Sequence, residues 1–293
     1  MKKEEKIITL RRKYTTKLFA GLGVALLTAI SCSFILYAYE RPNNVAEVEP
    51  NNTRKTAQTT TQNNEIIEKV ADLDFSGRYS ISGKADSTDD DWYKVVLTKG
   101  EQYLSVIHPY GDHATCVELL DSDNHVIIPE TYGTRRNVVK FDSEGGIYYV
   151  HIKGALEEES EYSLFVGTPM ISSGEVNVLL STSPASGTIK RTFSLADETI
   201  LPENAIVSKI VLRDLLVGFS SACVANPDYP DSITYSRTSS SGPVGSSGIS
   251  LKSSWDITFY PKETVKSLPV VSFQYCYPVC DSTMYEYSPT LKK

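Results

Sequence analysis

Short segments that alternate apolar and polar residues run through most of the chain after about residue 66. The clearest of them lie at residues 91–97, 147–152, 162–166 and 255–259. In each one every second side chain is apolar, which is the pattern of a strand that buries one face. Turn-forming residues separate these segments, and no long apolar stretch repeats at the helical period of 3.6. The pattern predicts a mainly β fold of antiparallel sandwiches or jelly rolls.

A polar boundary near residues 169–174 divides this pattern into two parts. We therefore predict two antiparallel β-sandwich, jelly-roll-like domains, at residues 46–168 and 170–293. Residues 203–219 are ambiguous, because their apolar positions fit one face of a helix while their β-branched residues fit a buried strand. The strand is the favoured interpretation.

The N-terminus has a different pattern. Residues 1–17 carry seven basic and two acidic side chains, and residues 18–39 carry no charge. At roughly 1.5 Å per residue a helix over 18–39 is about 33 Å long, enough to cross a bilayer. The basic flank stays cytoplasmic, which places the rest of the chain outside the cell membrane. An uncleaved signal anchor is favoured; the alternative is a long signal peptide cut near Ala38, which would give a secreted protein.

The segment that follows, residues 40–64, is polar, rich in Asn and Thr, and nearly free of large apolar side chains. It is predicted to be a linker. The whole chain has a net charge of −7, and the N-terminal 17 residues hold an excess of five positive charges. The external part therefore carries −12, which argues against nucleic acid as a partner because phosphates need Lys and Arg.

Catalytic chemistry has little support in the sequence. The histidines are His108, His113, His125 and His151, so residues 169–293 hold no imidazole for a Ser-His or Cys-His arrangement. Metalloprotease, nucleotide-binding and nucleophile-elbow motifs are absent as well. We expect a protein without enzymatic activity.

Several motifs in residues 46–168 occur in the order and spacing of one known family. They are EVEPNNT at 47–53, DDDWY at 89–93, LLDSDN at 119–124 and GIYYV at 146–150. The segment resembles the bacterial pre-peptidase C-terminal domain family and is similar to the collagen-binding domains of clostridial collagenases. The resemblance implies a non-catalytic β-sandwich attached to a surface or secreted protein, with calcium bound by the E-x-E-x-N segment and the Asp-rich turn.

The residue types agree with that implication. Glu47, Glu49 and Asn51 point the same way in an extended segment, and acidic residues crowd into 86–91. Carboxylate and amide oxygens are the ligands that calcium takes. The predicted calcium ligands are Glu47, Glu49, Asn51, Asp86, and Asp89 or Asp91. A solvated acidic loop without a metal is the alternative.

The external cysteines are Cys116, Cys223, Cys276 and Cys280, and an oxidising exterior would allow a disulfide among the last three. Together these features predict a membrane-tethered, calcium-binding protein of a bacterial cell surface. Its function would be adhesion, or binding of an extracellular protein or polysaccharide ligand. The alternative is an accessory of a secreted hydrolase or peptidase, or a degenerate enzyme with its activity in the C-terminal half.

Overall fold

The structure, a computed structural model, describes residues 43–293 apart from 73, 109–113, 155–158, 214, 216–217, 237–240 and 243–247. The predicted cytoplasmic segment 1–17 and membrane span 18–39 lie outside the described residues. Among those it describes, no helix is both long enough and apolar enough to cross a membrane. The chain is mainly β, in several sheets with a sandwich-like layout.

The first part of the chain forms strands around one short helix. In order, these are β1 (Asn44–Ala46), β2 (Gln58–Thr60), α1 (Ile67–Ala71), β3 (Ser80–Ala85), β4 (Asp90–Leu97), β5 (Gly100–Ile107), β6 (Ala114–Asp121), β7 (Val126–Thr134), β8 (Arg136–Ser143), β9 (Gly146–Gly154) and β10 (Ser160–Gly167). Sheet A has the strand order β1-β3-β10-β5-β8, and sheet B has the order β2-β4-β9-β6-β7. Their inward side chains share one apolar core, which includes Ile81, Leu104, Val95 and Val150.

The second part of the chain consists of strands throughout. They are β11 (Met170–Leu179), β12 (Ile189–Ser194), β13 (Ile206–Arg213), β14 (Phe219–Asn226), β15 (Tyr229–Ser236), β16 (Ser241–Gly242), β17 (Ser254–Pro261), β18 (Val270–Val279) and β19 (Thr290–Lys292). Sheet C has the order β16-β13-β18-β11-β19 and sheet D the order β12-β17-β14-β15. A second apolar core, with Trp255 and Phe273 at its centre, joins these sheets. The ambiguous segment 203–219 contains strand β13, as favoured from its β-branched residues.

The polar segment predicted as a linker contributes to both sheets of the first part. β1 pairs in parallel with β3, and β2 pairs in parallel with β4. These short edge strands need backbone hydrogen bonds rather than apolar side chains, so composition alone does not reveal them. Residues 43–64 are consequently built into the fold, and the sheets are not purely antiparallel.

Several contacts join the two parts. Glu65 Oε2 accepts a hydrogen bond from the Ile171 backbone N–H at 3.2 Å, and Arg136 Nη1 donates to the Thr283 carbonyl at 3.0 Å. Val70 of α1 packs in a small apolar cluster with Ile171. Residues 43–293 form one compact unit.

Candidate metal centre

Three carboxylates meet where β1 leaves the edge of sheet A. Glu47 directly follows β1, Glu49 lies two residues later, and Asp91 projects inward from β4. Each offers an oxygen that lies within 4.8 Å of the oxygens of the other two. Asp91 is fully buried and Glu49 is exposed, so the cluster is buried on one side and open on the other.

Asn51 completes the cluster from the same extended segment. Its Nδ2 donates to Glu47 Oε1 at 2.9 Å, and its backbone N–H donates to Glu49 Oε2 at 2.8 Å. The Asn51 carbonyl accepts from the Trp92 N–H at 3.0 Å, which fixes this segment against β4. The side chain of Asn51 is fully buried.

Two oxygens in the cluster have no hydrogen-bond partner. They are Oδ1 of Asn51 and Oδ1 of Asp91, and both are buried. A buried polar atom left unpaired costs free energy of about 1–3 kcal/mol, so folded proteins rarely leave such atoms without a partner. The Asn51 oxygen is an acceptor, and so is the Asp91 oxygen once that carboxyl is ionised. An acceptor is satisfied by a donor or by a cation.

Two tyrosines hold the carboxylates in place. Tyr93 on β4 donates to Glu47 Oε1, and Tyr162 on β10 donates to Asp91 Oδ2 at 2.9 Å. The two hydroxyls also contact each other. The alternating pattern predicted both side chains only as core residues, because a pattern of apolar positions does not report what a buried hydroxyl contacts.

The electrostatics of the cluster favour a cation. Burial and the adjacent Glu47 carboxylate raise the pKa of Asp91 to about 9. The pKa of Asp89 is also raised, first by burial and then by the charges of Glu49 and Glu47. Negative charge is therefore costly here, and a bound cation would remove that cost.

Two of the predicted ligands, Asp86 and Asp89, are not members of this group of three carboxylates and make hydrogen bonds nearby. Asp86 Oδ1 accepts two hydrogen bonds from Thr88, from its backbone N–H and from its hydroxyl, both at 2.7 Å. Asp89 Oδ1 accepts from Asn52 Nδ2 at 2.7 Å. The structure thus brings together Glu47, Glu49, Asn51 and Asp91, while Asp86 and Asp89 stabilise the adjoining turn and segment.

A cleft of about 380 Å³ opens beside the cluster. Glu47 and Glu49 belong to both, and the rest of the lining is Ala46, Ser82, Gly83, Lys84, Glu161, Tyr162 and Ser163. Lys84 donates its backbone N–H to Glu47 Oε2 at 3.0 Å. Gly83 is required here, since a Cβ at this position would lie 2.5 Å from the Tyr162 hydroxyl.

The described histidines contact neighbouring polar groups. His108 is buried between a backbone carbonyl and a threonine hydroxyl, and His125 pairs with a carboxylate in an exposed turn. His151 stacks on Trp92 and contacts Asp90 at 2.7 Å. His113 lies outside the described residues. No disulfide forms among Cys116, Cys223, Cys276 and Cys280, so the disulfide considered from the sequence is not present in this structure.

Comparisons with known proteins found structural likenesses only. No known protein family and no curated protein matches the chain. The pre-peptidase C-terminal domain of a collagenase from Bacillus anthracis is similar at 17% identity and a TM-score of 0.29, over 41% of this chain and 99% of that chain. A surface-associated copper-binding protein from Methylomicrobium album is similar at 8% identity and a TM-score of 0.26, over 39% and 98%. A periplasmic inhibitor of g-type lysozyme from Aeromonas hydrophila is similar at 16% identity and a TM-score of 0.25, over 38% and 97%.

The first of these is a domain of the family that residues 46–168 resemble. At these identities and TM-scores the likenesses carry no argument about function.

Proposed function

We propose that residues 46–168 form a calcium-binding, non-catalytic module of the pre-peptidase C-terminal type, within an extracellular protein that binds a ligand at a bacterial surface. One observation carries the calcium part of the proposal. Three carboxylates converge on one point, and two buried oxygens there, Oδ1 of Asp91 and Oδ1 of the adjacent Asn51, lack a hydrogen-bond partner.

The donor set suits calcium better than other biological metals. Every candidate ligand is a carboxylate or amide oxygen, and calcium takes six to eight such oxygens in flexible geometries. Zinc and copper favour the nitrogen and sulfur ligands that this cluster lacks among the described residues. Extracellular modules commonly bind calcium with dissociation constants of about 10⁻⁴–10⁻³ M, which an open and partly exposed site like this one would match.

The proposed location and binding role are supported by the sequence. The uncharged segment 18–39 with its basic flank would tether the chain to the cell membrane, or would direct its secretion if cleaved. The negative charge of the external part and the absence of catalytic motifs support a binding protein without enzymatic activity.

Calorimetric titration of the full-length protein with calcium tests the proposal. We expect binding heat and a rise in melting temperature, because a ligand that binds only the folded state stabilises it. Asp91→Asn and Glu49→Gln should weaken calcium binding strongly, since each removes a charged donor.

Asp86→Asn provides the matched control. It removes the same type of charge five residues from Asp91, but the structure uses Asp86 to bond Thr88. Calcium affinity should therefore change little. A protein that gives no calcium heat, or in which Asp86→Asn is as damaging as Asp91→Asn, would contradict the proposed site.

A further inference from the structure

The protein supplies too few oxygens to fill a calcium coordination shell. One oxygen from each of Glu47, Glu49 and Asp91, together with the amide oxygen of Asn51, gives four protein ligands. Calcium takes six to eight oxygens, so about two or more positions are left for water or for an oxygen of another molecule.

Glu47 and Glu49 connect the carboxylate cluster to the cleft, because both residues belong to both. Asn51 and Asp91 are fully buried and do not line the cleft, so another molecule would reach an ion at the cluster through the cleft, beside the two glutamates. A volume of about 380 Å³ is at the lower end of the range for small-molecule sites and suits one or two sugar rings.

The net charge of the ion and its carboxylates determines whether the remaining ligand oxygens come from an anionic or a neutral molecule. Three carboxylates around a divalent cation already leave a net negative charge, so an anionic ligand would be repelled. Hydroxyl oxygens are neutral, and two adjacent hydroxyls on a sugar ring can fill two neighbouring coordination positions.

Polar residues of β3 and β10 form one wall of the cleft. Lys84 and Glu161 are paired across these strands, and Ser82 pairs with Ser163 beside them. The side chains of this wall include an ammonium and a carboxylate, so they can both donate hydrogen bonds to sugar hydroxyls and accept them. Lys84 Nζ is held at 2.7 Å from Glu159 Oε1.

We propose that this cleft binds a neutral saccharide, with an adjacent pair of hydroxyls coordinating the calcium ion and the rest of the ring bonded to Lys84 and Glu161. This proposal rests on the calcium site proposed above, and it names the ligand class that the same site would take.

An array of neutral and acidic glycans tests the proposal with the full-length protein, in about 2 mM calcium and in EDTA. Binding of a neutral glycan in calcium and its loss in EDTA is the expected result. Methylation of the adjacent hydroxyl pair of that glycan should abolish binding.

Two substitutions in the wall of the cleft distinguish saccharide binding from calcium binding. Lys84→Ala and Glu161→Ala should each lower the affinity for the glycan about tenfold or more, because each removes a charge-assisted hydrogen bond. Neither should change calcium affinity, since neither side chain belongs to the carboxylate cluster. Lys140→Ala is the matched control, as Lys140 is an exposed lysine paired with Glu101 on another part of sheet A.

The possible failures are distinguishable. Calcium binding without capture of any neutral glycan would overturn the saccharide proposal and leave the calcium site standing. Glycan binding that persists in EDTA, or that is limited to acidic glycans, would also overturn it. A protein that binds no calcium would remove both proposals together.

Discussion

In the proposed calcium site, the buried carboxyl of Asp91 would couple calcium binding to pH. Its raised pKa, about 9, means that Asp91 is largely protonated at neutral pH when no metal is bound. Calcium requires the ionised form, so binding must displace this proton. Calcium affinity should therefore increase as pH rises from 6 to 8, by up to about tenfold per pH unit for one displaced proton.

Calorimetric titrations with calcium in two buffers that differ in their heat of ionisation would give the number of protons that calcium displaces. Asp91→Asn should bind calcium weakly and show almost no dependence on pH in this range, whereas Glu49→Gln should bind more weakly but retain the dependence. Equal pH slopes in the parent protein and Asp91→Asn would argue against this assignment.

The sequence predicted part of the candidate site for a simple geometric reason. Glu47, Glu49 and Asn51 were grouped by the two-residue period of an extended chain, and the structure places them together. The two-residue period of residues 91–97 puts Asp91 on the same face as Tyr93. Its meeting with Glu47 was not predictable, because that contact depends on how β1 and β4 come together from different sheets. Tyr162 was expected in the core, but its contact with a carboxylate depends on a strand about seventy residues away in sequence.

Asn63 is the polar junction between the N-terminal segment and the end of β10. It is fully buried; its Nδ2 donates to the Thr168 carbonyl at 3.1 Å, and its Oδ1 accepts from the Tyr79 N–H at 3.1 Å. Asn63→Ala would leave these partly buried backbone groups without their side-chain partner. We expect a loss of roughly 1–3 kcal/mol of unfolding free energy, measured by urea denaturation.

Asn43→Ala is the appropriate comparison for that measurement. Asn43 makes one exposed and long hydrogen bond, at 3.4 Å to the Ser76 carbonyl, so its loss should cost less than about 0.5 kcal/mol. If the two substitutions destabilise the protein equally, the Asn63 junction does not hold the segment in place.

Individual elements were predictable to different degrees. The strands that bury one face, such as β4, β9 and β17, follow directly from alternating side chains. The parallel strands β1 and β2 were missed because each has only three residues, too few to show an alternating pattern, and those of β2 are all polar. Helix α1 was also missed, since five residues are too few to display a helical period.

The two parts of residues 43–293 should unfold together. They share the hydrogen bonds from Arg136 and to Glu65, and Ile171 packs with Val70 between them. We expect one cooperative transition in calorimetry, because contacts of this kind couple neighbouring units. Ile171→Ala should cost about 2–4 kcal/mol and begin to separate the transition into two.

Two well-separated transitions in the parent protein would contradict this expectation. Val96→Ala serves as the control, because Val96 is 61% exposed on the outer face of sheet B and contributes to neither core. Its melting profile should match that of the parent protein.

The parallel pairing of β1 with β3 has a mechanical consequence. A pulling force applied at Asn43 along the direction of β1 would load its three residue pairs simultaneously, in shear, rather than peeling them apart one by one. Glu47 comes next along the chain and is bonded to Lys84, so the same tension would pass through the carboxylates. A calcium ion held there would add to the force needed to detach β1 from β3. That force would then depend on the calcium concentration around the protein.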